Sequence, residues 1–112
     1  MAYDEDLADR IRELVGGDAG LTEQKMFGGL AFLINGNMAV AASGEGGLLV
    51  RADPERSDEI MARMPAEPMV MRGRPMPGWL RVATADVRTK AQLRKWVELG
   101  TSYARSLPAK EK

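Results

Sequence analysis

The sequence predicts one α+β domain with the element order α-β-β-β-α-β-β-α. Three observations lead to this prediction: amphipathic helical repeats near both ends of the chain, an Asn-Gly turn inside a long uncharged stretch, and short apolar segments separated by glycine and proline. The chain has 112 residues, which fits a single domain. We therefore expect one domain over residues 1–112 with an ordered core at about 3–108.

The first element is predicted to be a helix over residues 4–15. Its apolar residues recur at helical spacing and form one stripe, at Leu7, Ile11, Leu14 and Val15. Acidic residues open the segment and suit the positive end of the helix dipole. Gly16 and Gly17 follow it as a typical helix stop.

Residues 26–44 carry no charge, and their 19 positions approach the ~20 apolar residues of a membrane helix. However, Asn35-Gly36 in the middle is a strong signal for a type I′ hairpin turn, so we expect two strands instead. That turn places Leu33 opposite Met38 and Ala31 opposite Val40. Both faces of the hairpin are apolar, so either another part of the chain or a second subunit must cover the second face.

A third strand is predicted at residues 48–52, followed by a helix that starts at Asp53-Pro54 and ends at Pro65. Two more strands are predicted at residues 69–72 and 79–83. The segment between them, residues 73–78, is expected to be a loop with a type II turn at Pro77-Gly78.

The last helix is predicted to begin at a capping box formed by Thr89 and Gln92. Apolar or small residues then recur at helical spacing over four turns, and Pro108 ends the helix.

The composition excludes several kinds of chemistry. The chain has no Cys and no His, which removes thiol chemistry, disulfides, the commonest general base and the commonest metal ligand. The closely spaced Met69, Met71 and Met76 are expected to fill the core rather than bind a metal. We therefore expect no catalytic residue, no cofactor and no metal.

The formal net charge is zero, but the two halves differ. Residues 1–56 carry ten acids and five bases, a net charge of −5, while residues 57–112 carry six acids and eleven bases, a net charge of +5. The halves either neutralise each other in the fold or across a dimer contact, or they leave a basic face for an acidic partner or a nucleic acid. The acidic N-terminus does not look like an export signal, which indicates a cytoplasmic protein.

The predicted loop at residues 72–79 is the most promising binding site. Arg72 and Arg74 suit carboxylate or phosphate recognition, and Trp79 offers a surface for stacking. The alternative is that Trp79 is a core residue and that Arg74 pairs with a neighbouring acid. The remaining candidate partner-binding residues are the basic Lys25, Arg94 and Lys95.

Three sequence phrases carry a family resemblance. They are Lys25-Met26-Phe27-Gly28-Gly29, Asn35-Gly36-Asn37-Met38-Ala39 and Gly73-Arg74-Pro75-Met76-Pro77-Gly78-Trp79. With the closing Ala104-Arg105-Ser106-Leu107-Pro108, they resemble the N-terminal domain of the TfoX/Sxy family of competence regulators over roughly residues 3–108. The resemblance implies a two-layer fold in which an antiparallel sheet has its helices on one side.

The resemblance also implies a function. Full-length members carry a second, helical domain and act as transcription co-activators with a cyclic-AMP receptor-type regulator, whereas this sequence is expected to be a stand-alone N-terminal domain. We predict a small, non-enzymatic, cytoplasmic interaction domain. It is expected to be homodimeric and to bind a protein partner, with a transcription regulator as one candidate.

The alternative function is a nucleic-acid-binding module that uses the basic C-terminal third, including Arg74, Arg94 and Lys95.

Overall fold

One antiparallel sheet and three helices make up the fold in the computed structural model, which describes residues 4–16, 20–26, 29–44, 46–71 and 73–108. The helices are α1 (Glu5–Val15), α2 (Ser57–Arg63) and α3 (Lys90–Ser106). The strands are β1 (Leu21–Met26), β2 (Gly29–Ile34), β3 (Asn37–Ala42), β4 (Leu48–Arg51), β5 (Glu67–Met71) and β6 (Arg74–Val82). A short 3-10 helix, Thr84–Val87, connects β6 to α3.

The sheet has the strand order β1-β2-β3-β4-β6-β5, and every paired neighbour is antiparallel. All three helices contribute to one hydrophobic core on the same face of the sheet. The largest fully buried side chains in this core include Trp96 from α3, Phe32 from β2 and Ile11 from α1. The predicted α+β class, with an antiparallel sheet and its helices on one side, is therefore confirmed.

The five predicted strands are all present, and the structure adds a sixth, β1, ahead of them. This strand forms an edge of the sheet and pairs with β2 alone, from Leu21 opposite Ile34 to Met26 opposite Gly29. Its middle residues, Thr22 to Lys25, are exposed and mostly polar. Polar edge strands avoid pairing with other molecules, and for the same reason they lack the apolar alternation that predicts a strand.

The predicted hairpin turn is confirmed, because Asn35 and Gly36 have φ angles of 53° and 84°. Leu33 lies opposite Met38 as predicted. The predicted pairing of Ala31 with Val40 is wrong, because a bulge next to Leu33 shifts the register and places Ala31 opposite Ala41. Val40 instead pairs with Phe32 in the core under the helices.

Two predicted boundaries are wrong. Helix α2 begins at Ser57 rather than at Asp53, whose side chain accepts a hydrogen bond from the Glu55 amide in a turn before the helix. The predicted loop at residues 73–78 is also wrong, because residues 74–78 belong to strand β6 and Gly73 is a turn residue before it. Gly78 adopts a φ of 84° within this strand.

Both long helices begin at side-chain caps. Asp4 accepts a hydrogen bond from the Leu7 amide at the start of α1, and the predicted capping box of Thr89 and Gln92 is present at α3. The α1 C-cap is Gly16, while Gly17 lies outside the described residues. At the other end of the chain, the Asn37 amide donates a hydrogen bond of 2.9 Å to the Pro108 carbonyl, which ties the segment after α3 to the start of β3.

An ion pair joins α1 to β1. Arg12 donates hydrogen bonds of 2.8 and 2.9 Å from its Nε and Nη2 to the carboxylate of Glu23, and it also contacts Asp9. The hydrogen bonds from Arg12 hold the pKa of Glu23 below its ordinary value, and those same bonds raise the pKa of Arg12. This contact stabilises the edge strand that the sequence does not predict.

We expect Glu23→Gln to lower the thermal midpoint at pH 7 by about 1–4 °C, the range for a surface pair. Since the pKa of Glu23 is depressed in the folded state, the stabilisation is present above the ordinary glutamate pKa of about 4.3 and is lost as the pH falls through the folded value. The midpoints of wild type and variant should therefore converge as the pH falls below the ordinary glutamate pKa and through the lower pKa of folded Glu23. The control Glu55→Gln, on an exposed side chain, should leave the thermal midpoint at pH 7 within about 1 °C of wild type. A gap between wild type and Glu23→Gln that is independent of pH would contradict the assignment.

Candidate functional site

The structure does not bring the predicted partner-binding residues together. Lys25 lies on the edge strand β1, whereas Arg74 and Trp79 belong to β6, four positions away in the strand order. Arg94 and Lys95 are exposed on α3, where they line two different grooves. Arg72 lies outside the described residues. These residues therefore do not form one continuous surface in the described part of the chain.

Trp79 lies on the helix-free face of the sheet. It packs with Leu49 against a small apolar cluster that contains no helical residue and consists of Ala31, Leu33, Met38 and Ala41. Each cluster residue is no more than 9% exposed within a single chain. Trp79 and Leu49 of the same chain therefore cover part of the second apolar face of the hairpin. Homodimerisation stays a prediction.

The guanidinium of Arg51 contacts the rings of both Trp79 and Tyr103. The Cζ atom of Arg51, at the end of β4, lies 5.3 Å from the ring centroid of Trp79 and 5.8 Å from that of Tyr103 on α3. Both distances are in the range of cation–π contacts. We call these three residues the Arg51 stack. It joins the sheet to the C-terminal half of α3.

The α2–α3 groove is an open groove of about 590 Å³ between these two helices. Its apolar lining consists of Ala52, Ile60, Met64, Leu99 and Tyr103. Its polar lining consists of Asp53, Arg56, Lys95, Glu98, Ser102 and Ser106. Two acids balance two bases, so the groove combines an apolar floor with a rim of mixed charge.

The spacing of residues on α3 explains why this groove forms. Lys95, Leu99 and Ser102 lie three or four residues apart, so they share one side of the helix. Leu99 and Tyr103 are half-buried, and they face Ile60 and Met64 from the α2 segment. Because α2 has only seven residues, it cannot cover the full length of α3 and leaves this space open.

The α1–α3 groove, of about 450 Å³, lies on the other side of α3. Its basic lining residues are Lys90, Arg94 and Arg105, and its acidic lining residues are Glu13 and Glu98. Glu13 comes from the acidic half of the sequence, and the three bases come from the basic half. The two halves thus face each other here, which favours their neutralisation within the fold over an uninterrupted basic surface.

Within the described ranges, no group of three or more metal-ligating side chains is close enough to hold a metal ion. None of the helices described is both long and apolar enough to cross a membrane. The uncharged stretch at residues 26–44 contains the β2–β3 hairpin instead.

These features define a small α+β domain with helices on one face of a six-stranded sheet and an open groove between two of them. The family model of the TfoX N-terminal domain matches residues 13–104, which is most of the chain. The chain belongs to this family and is a domain of the kind found in competence regulators. No curated protein and no solved structure matches it with significance.

Sequence reasoning did not identify Arg51 and Tyr103 as candidate residues. Arg51 ends a strand, and Tyr103 continues the apolar pattern of α3. Their contact depends on the pairing of β4 with β6 and on the course of α3 across the sheet. The only sequence signal is a cationic residue at the end of an apolar strand, which is too common to indicate a site.

Proposed function

We propose that this chain is a non-enzymatic, cytoplasmic interaction domain that binds a protein partner in the α2–α3 groove. The observation that carries the proposal is the composition of this groove, with an apolar floor of half-buried side chains and a polar rim. Protein interfaces have this arrangement, since the apolar centre supplies most of the binding free energy and the polar rim supplies specificity. The occupant is a segment of a partner protein whose apolar side chains pack on Leu99 and Met64.

Family membership suggests which partner to test first. The resemblance to competence regulators implies a role alongside a transcription regulator of the cyclic-AMP receptor type. This regulator is a suitable probe, because it can be purified separately and titrated into the isotopically labelled domain.

We expect a titration of the 15N-labelled domain with the purified regulator to shift the amide resonances of Leu99, Ser102 and Tyr103. Ser102 is exposed and lines the groove, so Ser102→Trp fills the groove without disturbing the core. This variant should weaken binding at least tenfold, because the indole occupies the space of the partner segment. Nuclear magnetic resonance gives the site, and isothermal titration calorimetry gives the affinity.

The matched control is Arg94→Trp, on an exposed position of the same helix that lines the α1–α3 groove instead. It should bind the regulator as wild type does. The proposal is overturned if Arg94→Trp weakens binding while Ser102→Trp does not. It is also overturned if the regulator shifts no groove resonance at saturating concentration.

A further inference from the structure

The Arg51 stack places a restrained guanidinium beside Tyr103, which lines the α2–α3 groove, while Arg51 itself leaves the sheet on the side of Trp79 and is not part of the groove lining. The backbone of Arg51 is held in the β4–β6 ladder, where it pairs with Trp79, and its side chain contacts the rings of Trp79 and Tyr103. A free arginine side chain loses considerable conformational entropy when it is immobilised by a ligand. Here the two rings restrict the side chain in advance, which reduces that cost.

The hydrogen-bonding groups of Arg51 are not engaged by the described part of the chain. Within the described ranges its side chain contacts the two rings, and no carboxylate or carbonyl there accepts a hydrogen bond from it. A contact with a ring does not engage the five N–H donors of a guanidinium as a carboxylate does. Among the described residues, no side-chain nitrogen or oxygen is both buried and without a partner, so these donors remain accessible.

Tyr103 connects this guanidinium to the groove. Its side chain lines the groove and contacts Arg51, and Ala52, the residue after Arg51, also lines the groove. A partner segment that packs along the apolar floor and extends past Tyr103 reaches Arg51, whose Cζ atom lies 5.8 Å from the Tyr103 ring centroid. Planar donors of this kind match the two oxygens of a carboxylate.

We propose that Arg51 binds the carboxylate of an Asp or Glu side chain on the partner protein, next to the apolar side chains that fill the groove. This inference rests on the proposed function and specifies the chemistry of the partner segment. The surroundings favour a protein over a polyanion, because the groove floor is apolar. In addition, the rim cations Arg56 and Lys95 are matched by two acids in the groove lining.

The first test needs no partner and uses acetate as the probe. The 15N-labelled wild type, Arg51→Lys and Arg63→Lys are titrated with sodium acetate at constant ionic strength. We expect a saturable shift of the Arg51 Nε–Hε resonance in wild type and in Arg63→Lys. Arg63 is a matched control, because it is an exposed arginine of α2 that does not line the groove. No saturable shift at Arg51, or much tighter binding of inorganic phosphate than of acetate, would overturn the inference.

The second test measures the affinity of the regulator for the same three proteins. Arg51→Lys keeps the charge but loses the planar fork, so we expect binding about tenfold weaker, with Arg63→Lys unchanged. Thermal midpoints identify any variant that has lost its fold. Equal binding by wild type and a folded Arg51→Lys would refute the role of Arg51 and leave the groove proposal intact. Saturable acetate binding without regulator binding would refute the choice of partner and support the carboxylate site.

Discussion

Replacing Trp96 with alanine is expected to lower the free energy of unfolding by about 3–5 kcal/mol. Trp96 is 1% exposed and is the largest of the fully buried side chains in the core between α3 and the sheet. Its removal takes a large apolar area out of the core and leaves a cavity that the rigid sheet below cannot close. A domain of this size has about 5–15 kcal/mol of total stability, so the variant should be close to unfolding at 37 °C.

Urea unfolding measures this loss, and Trp79 remains as the fluorescent probe in the variant. The control is Lys95→Ala, which truncates an exposed neighbour on the same helix and should change the free energy of unfolding by less than about 0.5 kcal/mol. A loss below about 1.5 kcal/mol for Trp96→Ala would be too small for a fully buried indole. It would show that α3 does not pack on the sheet as described.

The sequence predicts those parts of the fold that depend on local interactions. The cap at Thr89, the turn at Asn35-Gly36 and the acidic start of α1 each involve residues within four positions of one another, so their chemistry is visible in the sequence. The helical stripes are also visible, because the side that each helix buries depends mainly on its own periodicity.

The parts that the sequence does not predict depend on contacts between distant residues. The bulge between Phe32 and Leu33 pairs Val40 with Phe32 in the core, and no local sequence pattern indicates this register shift. The sequence does not predict the start of β6, because Pro75 and Pro77 lie in it and proline usually argues against a strand. Both prolines precede the residues that pair with β4, which begin at Trp79, so their missing N–H groups cost no hydrogen bonds on that side.

The candidate site likewise depends on contacts between residues that are distant in the sequence. Arginine, tryptophan and the basic helix residues are residue types suited to binding, but the structure disperses those that the sequence singles out. Arg51 and Tyr103 are distant in the sequence and meet only when the sheet order and the course of α3 are fixed. Residue type is therefore a local property, whereas the assembly of a site is a property of the whole topology.

Gly100→Ala is expected to destabilise the domain by about 2 kcal/mol, although alanine normally stabilises a helix interior by about 1 kcal/mol relative to glycine. Gly100 lies where α3 crosses β3. A Cβ atom at this position would come closer than 3 Å to the carbonyl oxygen of Ala39 and to Cγ1 of Val40. A side chain can rotate away from such a contact, but the backbone oxygen of a central strand cannot, so α3 must shift outward.

The control is Ser102→Ala, at an exposed position of the same helix, which should leave the free energy of unfolding within about 0.5 kcal/mol of wild type. Because Leu99 and Tyr103 flank Gly100 and line the α2–α3 groove, the outward shift should also disturb partner binding and the contact of Tyr103 with Arg51. Equal or greater stability of Gly100→Ala would mean that α3 is not in close contact with β3. The groove and the Arg51 stack depend on that contact, so both proposals would lose their structural basis.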